Sequence, residues 1–190
     1  MSKTDLIAVS AFANLPPLGR HIQITDRDGC GIVVFTGRRG RYRDVVQRIR
    51  TSYGIQLPST ASFVSVRTGL FAATGPETWL HVVDNRANAV AHDLVAVVGD
   101  AASVVDQSDG CGLVRLSGAS LPSLISSGAS IDMRDCAFPA GKVATTQIAH
   151  MTVTLWRMPD SDKGPTFEFL LSRSFALSFW HWLSENSRVQ

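Results

Sequence analysis

The chain of 190 residues carries 18 Lys and Arg against 16 Asp and Glu, a formal charge of +2, with 45% hydrophobic and 18% charged residues. That length and balance allow one large domain or two small ones around a sizeable core. They exclude a disordered chain and a protein whose overall charge would drive it onto nucleic acid.

The opening, MSKTDLIAVSAFAN, holds a short apolar stretch with an Ala-x-Ala pattern at Ala11 to Ala13. Asp5 interrupts its front, the apolar part is barely long enough for a signal peptide, and secretion is not expected. No apolar run approaches the ~18 residues of a membrane span. The cysteines, Cys30, Cys111 and Cys136, are odd in number and lack C-x-x-C spacing. That pattern fits buried thiols in a reducing compartment, and a cytoplasmic location is expected.

Strands are expected near 21–25 and 31–36, then an amphipathic helix over 41–53. In that helix Tyr42, Val45, Val46, Ile49 and Tyr53 share one arc, with Arg43, Gln47, Arg48 and Arg50 outside it. Leu57-Pro58 closes the turn into strands near 62–67, 70–74 and 78–83, followed by a helix near 87–98. Eight of the 18 basic residues lie between Arg20 and Arg50. Such a cluster reads as a solvated helix face, a docking surface for an acidic partner, or a phosphate-binding patch.

The second half gives strands near 104–106, 112–117, 143–148, 151–158 and 167–171, with helices near 121–126 and 175–186. CGIVVFTG from Cys30 echoes CGLVRLSG from Cys111, and GPETWLHVV from Gly75 echoes GPTFEFLLS from Gly164. The echoes predict an α+β fold of duplicated strand-helix-strand-strand-helix halves, 1–100 and 101–190, sharing one compact body. On the last helix Phe175, Ala176, Phe179, Trp180, Trp182 and Leu183 fill one arc, with His181 opposite and Ser174 as the expected N-cap. This is a core helix, with His181 solvated or available to another protein.

Few patterns point to chemistry. Gly29-Cys30-Gly31 lacks the third glycine of a dinucleotide loop, because Val34 stands there, and it opens a strand. His21, His81, His92, His150 and His181 form no metal-binding pair. His92-Asp93 reads as an exposed polar pair, and His81 and His150 as structural histidines in strands. Serine is abundant, but no G-x-S-x-G elbow appears. Asp106, Asp109, Asp132 and Asp135 are candidate acids. Asp106 could orient a ligand amine or close an Asx-turn, and the turn is favoured. No catalytic, cofactor-binding or metal residue is assigned to this chain.

From about Leu57 to Leu183 a series of motifs runs in order: Leu57-Pro58, GPETWL, VDQSDG with RLSG, IDM, AFPAGKVATTQIAH, TLWRM and RSFALSFWHWL. In these the chain resembles the gamma subunit family of heterotetrameric sarcosine oxidase. The resemblance implies a fold like the folate-binding T-protein of the glycine cleavage system. It also implies alpha, beta and delta partner subunits that hold FAD, FMN and NAD, bind tetrahydrofolate and carry zinc (in delta). This chain would then be a non-catalytic subunit packed mainly on alpha, supporting oxidative demethylation of sarcosine to glycine. Its matched positions, Trp79, Asp106, Arg115, Phe138, Gly141, Arg173 and Trp182, read as structural. Trp79 and Trp182 are expected to meet in the core, and Arg115 and Arg173 to tie carboxylates or face alpha. The alternatives are a free-standing folate-binding or one-carbon transfer protein, and a nucleic-acid module built on the basic segment.

Overall fold

A computed structural model describes residues 9–18, 22–84 and 89–187. His21, Arg20 and the first residues of the expected 87–98 helix lie outside them. The elements run β1 (Gln23–Asp26), β2 (Gly31–Gly37), α1 (Tyr42–Tyr53), β3 (Phe63–Val66), β4 (Gly69–Gly75), β5 (Thr78–Val83) and α2 (Val90–Val98). They continue with β6 (Ala102–Asp106), β7 (Cys111–Ser117), α3 (Leu121–Ser126), β8 (Val143–Ile148), β9 (Met151–Ser161), β10 (Gly164–Ser172) and α4 (Ala176–Asn186).

The strands form two five-stranded antiparallel sheets, in the orders β3-β4-β5-β2-β6 and β1-β7-β10-β9-β8. Alternation along each strand decides what each face meets. On β2, Val33 and Phe35 join the cluster under α1 and α2. Ile32 and its partly buried neighbour Val34 face the other sheet. On β10, Phe167, Phe169 and Leu171 pack beneath α3 and α4, and Leu170 faces across. Four layers result, helices outside and two sheets face to face within. The sheets are laced at one end, where Phe63 donates its N–H to Gly141 O and Val143 donates to Ala61 O.

Helix α1 buries Val45 and Ile49 on the predicted arc. It stops at Gly54, whose left-handed φ of 70° brings its N–H onto Arg50 O. Helix α4 buries Ala176, Phe179, Trp180 and Leu183, a stripe at i, i+3, i+4 and i+7. Two details differ from expectation there. A 3-10 turn over Arg173–Phe175 leads into the helix, so Ser174 is no cap and instead shares a hydrogen bond with Ser172 Oγ. Phe175 consequently falls outside the buried arc and is 42% exposed.

The hairpin of β9 and β10 is longer than predicted. Strands were expected over 151–158 and 167–171, yet β9 runs on through Pro159 to Ser161 and β10 begins at Gly164. A register shift between Gly164 and Thr166 absorbs the irregularity, and Pro159 stays exposed.

The two stretches of chain share one order, strand-strand-helix-strand-strand-strand-helix rather than the expected strand-helix-strand-strand-helix, and their match slips by one residue against the sequence echo. With Cys30 matched to Cys111, the cross-strand pair Phe35↔Trp79 corresponds to Leu116↔Phe167, both beneath helices. The offsets are then 81 and 88 (116 − 35 and 167 − 79). Aligning Gly75 with Gly164 would instead put Trp79 opposite Glu168, on the wrong face of the sheet.

The sequence did not announce one feature. Strands β1 and β6 each precede the first long strand of their own repeat, yet each pairs in the other repeat's sheet: β1 on β7, β6 on β2. Each sheet therefore takes one edge strand from the far side of residue 100.

Candidate functional site

The exchange brings the β1–β2 and β6–β7 loops together around a cleft of about 360 Å³, lined in part by Arg27, Cys30, Ser108, Asp109, Cys111 and Arg173. Beside it, between the sheets, runs a chain of charges. Arg115 and Glu168 are direct cross-strand partners on β7 and β10. Arg115 donates to Glu168 Oε1 from Nε at 2.8 Å and from Nη2 at 2.5 Å. Arg27, just past β1, places Nε 3.1 Å from the same oxygen and donates from Nη2 to Asp84 Oδ1 at 2.6 Å. Glu168 is 1% exposed. Burial works against the Arg27 charge, but Glu168, Cys30 and Asp84 outweigh it and raise its pKa above the ordinary arginine value.

Two cations face two anions, so the cluster closes on itself. A guanidinium stays protonated near neutrality and cannot serve as a proton shuttle. The arrangement is a clamp from β1 and the end of β5 onto β7 and β10. Sequence reasoning missed Arg27, Asp84 and Glu168. A signal was available: one charged residue stands inside each of two apolar runs, LVRLS and FEFLL.

The other candidates resolve individually. Asp106 Oδ1 accepts the Ser108 N–H at 2.9 Å and the Ser108 hydroxyl at 2.6 Å, which is the expected Asx-turn. The Ser108 Oγ in turn accepts from Ile32 N at 3.0 Å, pinning the turn to β2. Asp132 is held by Arg134, whose side-chain hydrogen bonds lower its pKa to about 2. Asp135 pairs with the buried Arg157, which also contacts Asp160 at 3.1 Å and lies over the Phe167 ring. Asp109 lines the cleft.

His81 is buried, with Nδ1 3.0 Å from Leu70 O and its ring stacked on Phe71 at 3.8 Å. Burial lowers its pKa to about 4, so it is neutral at physiological pH and structural. His92 stands exposed beside Asp93, as expected. His181 is exposed on α4. His150 is not in a strand. Ala149 and His150 form the two-residue turn between β8 and β9, both at positive φ, and no glycine or asparagine marks it.

The family-pattern residues make packing and hydrogen-bond contacts, but Trp79 and Trp182, expected to meet, do not. Trp79 stacks on Phe35 and Tyr42 in the core of one sheet and donates Nε1–H to Pro58 O at 2.8 Å. Trp182 lies half-buried on Phe179 in the other repeat, over Gly128, where an added Cβ would come within 2.5 Å of the indole. Phe138 packs near Phe167. Gly141 turns at φ 91° and donates its N–H to Arg157 O. Arg115 ties a carboxylate, whereas Arg173 reaches the Val9 carbonyl. Of the thiols, Cys30 is buried, Cys111 half-buried with its pKa raised by desolvation, and Cys136 exposed, against the expectation of burial for all three.

Gly29-Cys30-Gly31 leads into β2, so it offers no helix N-terminus for a pyrophosphate. Among the described residues no group of three His, Cys, Asp or Glu is placed to hold zinc. Among the described residues no helix is long and apolar enough to cross a membrane.

Two swapped-edge repeats in an αββα sandwich define the class, a T-protein-like α+β protein. Its fold is similar to aminomethyltransferase T of the glycine cleavage system from Bartonella henselae, with TM-score 0.63 and 13% identity over 88% of this chain and 46% of that one. It is also similar to a chain of the heterotetrameric sarcosine oxidase from Corynebacterium sp. U-96, solved with pyrrole 2-carboxylate, with TM-score 0.79 and 18% identity over 95% of each. The sequence profile of the sarcosine oxidase, gamma subunit family (SoxG) matches residues 42–189. The chain belongs to the sarcosine oxidase gamma subunit family, and its role is that of a gamma subunit. A free-standing folate-binding or one-carbon transfer protein is not favoured. No curated protein matches the sequence.

Proposed function

We propose that this chain is the non-catalytic gamma subunit of a cytoplasmic sarcosine oxidase, packed mainly on the alpha subunit. There it supports the oxidative demethylation of sarcosine to glycine. The observation that carries this reading is the family match across residues 42–189. The internal chemistry agrees with it: the charged groups between the sheets neutralise one another, and the buried histidine is held neutral. FAD, FMN and NAD then belong to alpha and beta, tetrahydrofolate to alpha and zinc to delta. The amine chemistry is supplied by those groups. This chain's own residues contribute a rigid body, with its two halves joined by an ionic clamp and an exposed outer surface for docking. Purification of the tagged chain from its native host tests the proposal. Three partner chains and a flavin absorbance should accompany it. A colourless chain recovered alone, beside an intact oxidase that lacks it, would refute the proposal.

A further inference from the structure

The basic cluster seen in the sequence is neither used up by the fold nor scattered by it. Six arginines and one aspartate occupy residues 38–50. Two of the six are neutralised in place: Arg41 by Asp44 and Asp100, and Arg48 by Asp100 at 3.1 Å. The other four, Arg38, Arg39, Arg43 and Arg50, are exposed. Among the described residues none of these four has a carboxylate within ion-pair distance. Arg43 and Arg50 stand seven residues apart on one stripe of α1, about opposite the fully buried Val45 and Ile49. Arg38 and Arg39 lie in the turn leading into α1, where Arg38 donates its N–H to Ala101 O and accepts from Arg41 N. The turn is thus tied at Arg38 and continues into α1, and along this turn and helix four exposed guanidinium groups have no carboxylate partner among the described residues.

Resting on the assembly reading above, we propose that this arginine face of α1 docks onto an acidic surface of a partner subunit of the oxidase. Guanidinium groups pair with carboxylates through two parallel hydrogen bonds and are weakly hydrated, so they suit a protein interface. The chemistry favours a protein over a nucleic acid. The face is a convex helix and turn rather than a groove. Its nearest aromatics, Tyr42 and Tyr53, are turned inward against Trp79 and Phe71, leaving no platform on which a base could stack. Like charges held together on a free surface are poised for a partner of opposite sign, and they set specificity and association rate.

The test co-expresses the chain with its three partner subunits, captures the complex through a tag on a partner, and measures the chain retained as sodium chloride rises. Retention should fall with salt. R43E/R50E and R38E/R39E should each weaken association about tenfold or more at low salt, R43Q/R50Q less, and K163E, at an exposed hairpin turn, not at all. Circular dichroism confirms that each variant is folded, and R43Q/R50Q carries the test if a reversal fails to fold. Retention of the folded arginine variants equal to wild type would overturn the proposal. So would binding of duplex DNA by the isolated chain that the same reversals abolish. If the wild-type chain is never retained, the assembly reading itself falls and takes this one with it. Retention of wild type with insensitivity of the variants removes only the arginine face.

Discussion

The same slot in the two repeats is filled in opposite ways. In one sheet, Val34 on β2 pairs with Leu80 on β5, and both side chains enter the inter-sheet layer. At the matching positions of the other sheet, Arg115 faces Glu168. One backbone geometry accepts either an apolar pair or an ion pair, so the pair is not required by the fold. What the ionic version adds is reach: through Arg27 and Asp84 it ties a transferred edge strand and the far sheet to the same carboxylate. The apolar slot gives stability through burial, whereas the ionic slot gives stability and register together.

Breaking one side of the ionic slot should have the largest effect. Glu168→Ala takes the carboxylate from Arg115 and leaves Arg27 with Asp84 alone, and should destabilise the chain by about 3 kcal/mol in urea unfolding. Converting the slot to its counterpart, Arg115→Val with Glu168→Leu, should recover most of that loss, because an apolar pair of similar volume can replace a buried ion pair. If the double variant is no better than Glu168→Ala, the two slots are not interchangeable.

His81 gives a second contrast, since the first repeat buries a titratable ring on β5. Its folded pKa, about 4, lies below the ordinary value of 6.5. The unfolded chain therefore binds the extra proton first as the solution is acidified. Stability is fully present above about pH 6.5, declines as pH falls toward 4, and loses on the order of 3 kcal/mol in that window. Urea midpoints from pH 7 to 4 should follow this fall, and His81→Phe should flatten it. The smallest effect is expected on the outer face of α4. His181→Ala should stay within about 0.5 kcal/mol of the parent in the same assay and leave turnover of the assembled oxidase unchanged.

Much of this was legible in the chain. The long strands announced themselves by alternation, and α1 by its arc of Val45 and Ile49. The candidate site was less legible. Arg115 and Glu168 lie 53 residues apart, and only the pairing of β7 with β10 makes them neighbours. Strands β1 and β6 are four and five residues long. Strands so short carry too little pattern to say which sheet receives them. The echo of Gly75 with Gly164 misled by one position because Gly75 ends β4 ahead of its turn whereas Gly164 opens β10 after its turn, and in a strand one position reverses inside and outside. Ala149-His150 hid its turn because it uses residues that seldom adopt positive φ.

The traded edge strands have a consequence for a severed chain. A single cut between Gly99 and Asp100 would leave two pieces, each still threaded into the other: Gln23–Asp26 along Cys111–Ser117, and Ala102–Asp106 along Gly31–Gly37. Such a nick would show on a denaturing gel yet leave the pieces travelling together in solution, like the two halves of a clasp that opens only when both hooks are lifted.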